Sequence, residues 1–492
     1  MEHQRKLFQQ RGYSEDLLPK TQSQRTWKTF NYFTLWMGSV HNVPNYVMVG
    51  GFFILGLSTF SIMLAIILSA FFIAAVMVLN GAAGSKYGVP FAMILRASYG
   101  VRGALFPGLL RGGIAAIMWF GLQCYAGSLA CLILIGKIWP GFLTLGGDFT
   151  LLGLSLPGLI TFLLFWLVNV GIGFGGGKVL NKFTAILNPC IYIVFGGMAI
   201  WAISLVGLGP IFDYIPSGIQ KAENSGFLFL VVINAVVAVW AAPAVSASDF
   251  TQNAHSFREQ ALGQALGQAL GQTLGLVVAY ILFAVAGVCI IAGASIHYGA
   301  DTWNVLDIVQ RWDSLFASFF AVLVILMTTI STNATGNIIP AGYQIAAIAP
   351  TKLTYKNGVL IASIISLLIC PWELMENQDS IYLFLDIIGG MLGPVIGVMM
   401  AHYFVVMRGK INLDELYTAP GDYKYYDNGF NLTAFSVTLV AVILSLGGKF
   451  IPFMEPLSRV SWFVGVIVAF AAYALLKKRT TAEKTGEQKT IG

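Results

Sequence analysis

Apolar residues in this chain come in long runs, not in the short alternating stretches of a strand or the one-sided stripe of a soluble helix. Twelve runs cover roughly 30–57, 59–84, 104–136, 153–173, 184–207, 227–248, 271–294, 313–347, 357–371, 380–406, 432–450 and 459–476. Most approach the ~20 residues with which an α-helix crosses ~30 Å of hydrocarbon. Lipid offers no partner to a bare peptide group, so such segments must satisfy their own backbone as helices. A membrane β-barrel would show alternating segments of about ten residues, and none occur. The pattern predicts an all-α integral membrane protein with 12 transmembrane helices.

Three spans interrupt their apolar run with polar residues. Span one reads LWMGSVHNVPNYVMVGG, placing Gly38, Ser39, His41, Asn42, Pro44 and Asn45 within the membrane. Span six reads VVAVWAAPAVSASDF, with Trp240, Pro243, Ser246 and Ser248. These two hold matching places if spans one to five and six to ten form two repeats, and an odd repeat length gives the halves opposite topology. Paired broken helices mark the substrate and ion sites of inverted-repeat transporters. Two proline kinks absorbed by neighbouring helices are the plainer reading of each alone; the pairing favours function. Span eight carries Thr328, Thr329, Ser331, Thr332, Asn333, Thr335 and Asn337 in MTTISTNATGN. Back-bonding or helix glue accounts for one or two of these; seven so close suit a polar cavity or an oxygen-lined ion site.

The division that follows is an N-terminal segment 1–27, a first repeat 28–207, a second repeat 227–406, a loop 407–431, two further helices in 432–476, and a tail 477–492. Charge orients it. With the N-terminus in the cytoplasm, 23 of the 28 Lys and Arg fall on the inner side, Arg111 counted among the inner-loop residues. Basic residues collect on cytoplasmic loops, so the expectation is a multi-pass inner-membrane protein with both termini cytoplasmic. Attraction to anionic lipids also accounts for the net charge of +6 without nucleic acid. Residues 1–27 show no signal-peptide core. Cys124, Cys131, Cys190, Cys289 and Cys370 are irregularly spaced packing residues. Residues 261–272 repeat ALGQ three times, too short a period for a solenoid; the repeat is expected to extend a cytoplasmic helix end.

Candidate chemistry centres on two tryptophans. Trp119 lies in IMWFGLQCYAGS, one turn before Gln123, and Trp240 lies three residues before Pro243. Buried indoles usually serve packing. An indole with an amide one turn away also offers a stacking face plus donor and acceptor groups, which suits a flat, polar, uncharged ring. His41 and Asp386 are the ionisable groups deepest in apolar sequence and so candidates for a proton relay, while Asp249 reads as a structural cap at the inner end of span six. A membrane enzyme would need clustered metal ligands or a nucleophile–base pair; the chain has five His and no HExxH, CxxC or nucleophile elbow. No filter-like loop or ring of acids suggests a channel.

These motifs together resemble the nucleobase–cation symporter family 1. WMGSVHNVPNY, KYGVPFAMILRASYGVRGA, WFGLQ, STNATGN, GGMLGPVIGVMMAHYF and INLDELYTAPGDYKY carry the likeness from about residue 25 to the tail. It implies a leucine-transporter-like fold, a 5+5 inverted repeat plus two C-terminal helices, and a secondary active transporter importing allantoin or a related hydantoin or nucleobase. By resemblance Trp119 and Trp240 sandwich the ring while Gln123 and Asn337 bond its edges. Asn42 stands where hydantoin carriers have Gln, Asn333 should line the same cavity, and Val239 replaces a Gly beside the second Trp. Leu385 matches an apolar gate. A sodium site would use carbonyls of Gly38, His41 and Thr328 with the hydroxyls of Ser331 and Thr332, and no other cofactor is implied. The alternative within the family is a proton-coupled uracil or purine permease.

Overall fold

The computed structural model describes residues 2–255, 265–375, 378–418, 426 and 428–490. Among these described residues eight helices are long and apolar enough to cross a membrane, or nine if a bent pair, Pro452–Ser458 with Ser461–Lys477 at 86°, is one span. Shorter apolar helices, Val43–Leu55, Ser225–Val239 and Tyr355–Leu368, stand where spans one, six and nine were expected. Two of the three are short for one reason: spans one and six are each split in two. Large apolar side chains such as Ile193, Ile200 and Leu368 point outward, while Asn169, Thr329 and Asn333 are buried. That inside-out distribution belongs to a protein solvated by hydrocarbon.

Span one comprises helices Thr29–Val40 and Val43–Phe52, and span two is Thr59–Asn80. Span three, Leu105–Ile138, carries a π-helical stretch at Leu109–Ala115. Spans four and five are two helices within Leu156–Val206 that meet at a kink at Gly176, with φ 59° and ψ −158°; the inner loop expected near 174–183 is reduced to this turn. Span seven, Ala265–Tyr298, starts inside the ALGQ repeat, of which 261–264 lie outside the described residues. Span eight, Leu315–Ile348, carries its own π stretch at Ala334–Ile338. Span ten is Gln378–Met400 running on to Val406, and span eleven is Leu432–Leu446. Span twelve continues as helix through the expected tail to Thr490.

Two features depart from the sequence reading. A small antiparallel pair, Thr150–Leu151 with Leu154–Ser155, joins spans three and four. Leu152 and Gly153 both take positive φ at its tip, as a tight two-residue hairpin requires, and Trp372 Nε1 donates to Leu152 O at 2.7 Å. The N-terminal segment also folds against the same end of the bundle as the basic loops. Phe8 stacks on Tyr417 at 4.3 Å, Tyr13 Oη donates to Thr418 O at 2.8 Å, and Trp27 N donates to Asn253 O at 2.9 Å.

Span nine holds span eight in place through a glycine contact. A methyl added at Gly358 would sit 2.3 Å from Gly342 O, whereas one at Gly171 would meet nothing within 4 Å. Overpacking of this kind costs about 1–3 kcal/mol. Gly358→Ala should therefore lower the thermal unfolding temperature of the detergent-solubilised protein, with Gly171→Ala as the silent control. Equal stability of the two variants would show that the contact is not tight.

Candidate substrate and cation site

The break in span one is written into its residues. Asn42 is extended, with φ −135° and ψ 162°, and its Oδ1 accepts from Asn45 N at 3.1 Å, capping helix Val43–Phe52. Pro44 falls in that helix's first turn, where a missing N–H costs nothing. Carbonyls released by the break find side-chain partners. Ser39 O accepts from Thr332 Oγ1 at 2.9 Å and from Asn42 Nδ2 at 3.2 Å, and Val40 O accepts from Asn45 Nδ2 at 2.7 Å. Span six breaks at Trp240, with φ −92° and ψ 1°, and resumes as Ala241–Val245 with Pro243 inside.

Spans one, three, six and eight converge on a cavity enclosing about 480 Å³ of empty space, counting its open side. The centre of a water molecule can reach only about 40 Å³ of it, so a ring enters only as the flanking side chains part. Six of the seven residues expected at the substrate, Trp119, Gln123, Trp240, Asn337, Asn42 and Val239, line it. Trp36, Ser39, Asn45, Ala242, Pro243, Thr332, Thr335 and Gly336 complete the wall. Of these, Trp36, which the sequence reading did not single out, meets Trp240 edge to face at 5.4 Å, and the hydroxyl of Thr335, one of the polar residues of span eight, is buried without a partner. Trp36 sits two residues before Gly38, where the interruption of span one begins, and that proximity was the available signal.

Asn333, expected to line the cavity, does not. Its amide is turned toward spans three and four, where Nδ2 donates to Phe120 O at 3.3 Å and Asn169 Oδ1 at 3.1 Å. The π stretch that begins at Ala334 rotates the helix between the two asparagines, bringing Asn337 to the wall and leaving Asn333 behind it. Leu385 lies on helix Gln378–Met400, but its side chain is outside the described residues. Its neighbour Phe384 packs edge to face on Trp119 at 5.5 Å. Gln123 Nε2 donates to Asn42 Oδ1 at 3.3 Å, which leaves Gln123 Oε1 buried and unpartnered.

Next to the cavity, the expected cation ligands fall into two contacts. A methyl at Gly38 would meet Ser331 Oγ at 2.9 Å, so these two residues touch, and Ser331 Oγ is buried with no hydrogen-bond partner. Thr332 Oγ1 lies 2.9 Å from both Ser39 O and Thr328 O. The His41 ring points elsewhere: Nδ1 is 3.0 Å from Tyr46 Oη and the ring packs against Phe195 and Phe283. The atom of His41 expected at the cation is its backbone carbonyl; Nε2 is buried without a hydrogen-bond partner. Neutral hydroxyl and carbonyl oxygens suit a hard monovalent ion, and no cluster of His, Cys, Asp or Glu fit for a metal occurs among the described residues.

Two charged residues stand differently from their sequence reading. Asp386 is not a lone buried acid: Lys449 Nζ lies 2.7 Å from its Oδ2, and both side chains are about a third or less exposed (27% and 34%). Arg111 is not a loop residue. It is wholly buried in span three, its Nε donating to Ser246 Oγ at 3.1 Å and its Nη2 to Gly336 O at 2.7 Å, which ties spans three, six and eight beside the cavity. Asp249, expected to cap the inner end of span six, instead accepts through Oδ1 from Phe91 N at 2.9 Å, at the start of helix Phe91–Tyr99.

Residues 19–465 match the sequence pattern of permeases for cytosine/purines, uracil, thiamine and allantoin. The chain belongs to this family. It is 97% identical, over the full length of both proteins, to an Escherichia coli (strain K12) protein provisionally named an allantoin permease. It is 38% identical to the allantoin permease of Bacillus subtilis (strain 168), across 94% of this chain and 93% of that one. Its fold matches that of Mhp1, a nucleobase-cation-symport-1 family transporter seen closed with bromovinylhydantoin bound. That match has a TM-score of 0.76 and 24% identity over 96% of each chain. The protein is thus a multi-pass membrane permease of leucine-transporter-like architecture and not an enzyme.

Asn42 joins the helix cap to the cavity wall, so its loss should register in both. Asn42→Ala should destabilise the permease by about 1–2 kcal/mol, the usual worth of an N-cap, seen as a lowered unfolding temperature. Unchanged stability would mean that the second half of span one holds its start without the cap.

Proposed function

We propose that this permease imports allantoin, or a closely related hydantoin or nucleobase, across the bacterial inner membrane. Sodium is the coupling ion, alternating access the mechanism, and both termini face the cytoplasm among membrane lipids. The observation that carries the reading is the cavity wall itself, where two indoles from spans three and six accompany an amide whose oxygen has no protein partner. Allantoin is a near-planar hydantoin ring, with alternating N–H and C=O groups, that carries a ureido chain. Indole faces can stack on it, and buried acceptors reject any ligand that leaves them unpaired. The names of the E. coli and B. subtilis relatives and the hydantoin held by Mhp1 point to the same chemistry.

Residues 28–207 and 227–406 serve in this reading as the inverted repeats, followed by helices in 432–476. The support is a set of matched pairs: spans one and six are both broken, and spans three and eight both carry a π stretch. Those four spans build the cavity. For coupling, the unpartnered Ser331 hydroxyl against Gly38 supports sodium. Against a proton relay, Asp386 is paired with Lys449, and the His41 ring packs against Phe195 and Phe283.

Stacking on an aromatic face is worth about 1–3 kcal/mol by analogy with nucleobases. Trp119→Ala and Trp240→Ala should each weaken the apparent affinity for radiolabelled allantoin about tenfold while the protein still reaches the membrane, and Gln123→Leu should abolish uptake. Normal affinity in either tryptophan variant would sink the sandwich.

Sodium coupling is tested by uptake in choline buffer from pH 5 to 8. Transport should collapse without sodium at every pH, and Ser331→Ala and Thr332→Ala should raise the sodium concentration needed for half-maximal uptake. Because coupling is reciprocal, allantoin should also tighten sodium binding. Full activity in choline with a steep acid optimum would instead establish proton symport.

A further inference from the structure

Behind the cavity wall runs a chain of three asparagine amides with a fixed direction. Asn169, in span four, donates from Nδ2 to Phe165 O at 2.8 Å. Asn333 donates from Nδ2 to Asn169 Oδ1 at 3.1 Å and to Phe120 O at 3.3 Å. Asn337 donates from Nδ2 to Asn333 Oδ1 at 2.8 Å. All three residues are buried, at 1%, 0% and 4% exposure. Only Asn337 lines the cavity.

An amide can be turned end for end, exchanging donor for acceptor. Here it cannot. Phe165 O and Phe120 O are backbone carbonyls, which only accept, so each asparagine facing them must present its NH₂ group. Asn169 then has only its oxygen left for Asn333, and Asn333 only its oxygen for Asn337. Reversing any link would set two donors or two acceptors against each other in a buried setting, where an unmade hydrogen bond costs most. Among the described residues Asn337 Oδ1 has no hydrogen-bond partner. On the opposite side of the site, Gln123 is oriented the same way, its Nε2 spent on Asn42 and its Oε1 left over.

We propose that Asn169 and Asn333 are specificity-determining positioning residues: they lock Asn337 with its oxygen toward the ligand, so that the permease selects a ring N–H at that edge. Neither touches the ligand. The sequence interval of 164 residues between Asn169 and Asn333 gave no hint that they cooperate. The proposal rests on the cavity being the transport site, which the Trp119→Ala variant tests separately.

The experiment measures competition against radiolabelled allantoin by three small rings: hydantoin, succinimide, which has CH₂ in place of one ring N–H, and 3-methylhydantoin, which loses the other. The wild type should bind at least one analogue tenfold or more weakly than hydantoin. In Asn333→Leu, Asn337 is free to turn, so that penalty should shrink to threefold or less. Asn169→Leu should move it the same way by a smaller factor, and Asn169→Ser is the alternative if the larger residue prevents folding, judged by monodisperse gel filtration. A merely structural role would weaken all three ligands by a common factor and leave their ratios unchanged, and that result overturns the proposal. So does a wild type that treats the three rings alike. If Trp119→Ala competes normally, the transport-site reading has failed instead.

Discussion

A peptide group inside hydrocarbon has nowhere to turn except to the protein, and every functional feature of this permease answers to that rule. A helix satisfies the rule at no extra cost; a broken helix does not. Where span one stops at His41, its released carbonyls are met by Asn42, Asn45 and Thr332. Those polar side chains are what make the break tolerable, and they are also what furnishes the cavity. The site is a by-product of solving the backbone's problem, with some polar capacity left over. Gln123 Oε1 and the hydroxyls of Ser331 and Thr335 are part of what remains.

The π stretches extend the same logic. A π turn frees a carbonyl from the regular ladder, and in span eight the carbonyl of Gly336 is taken by the buried guanidinium of Arg111. A charged side chain at that depth is expensive. Its bonds to spans six and eight place that cost where two helices must keep a defined relation to the cavity.

How much of this could be read from the chain alone follows from the range of the interactions. Helix breaks are local: Asn42, Pro44, Trp240 and Pro243 announce them within a few residues, so the fold and most of the wall were legible. Asn333 was misplaced because regular α-helical spacing puts it on the same face as Asn337, and a π turn leaves no mark in the residue pattern. Asp386 looked like a lone acid because its partner Lys449 arrives from beyond span eleven, 63 residues on. Asn169 escaped notice for a related reason. One asparagine in an apolar helix is unremarkable until the residue opposite is known.

Between spans four and five the two helices meet at Gly176, with hardly any loop between them. A loop of ten residues would act as a slack tether, letting each helix tilt without regard to the other. A single left-handed glycine behaves as an elbow. The ends of spans four and five that meet at Gly176 therefore cannot separate, and any displacement of that junction is shared by the helix that carries Asn169.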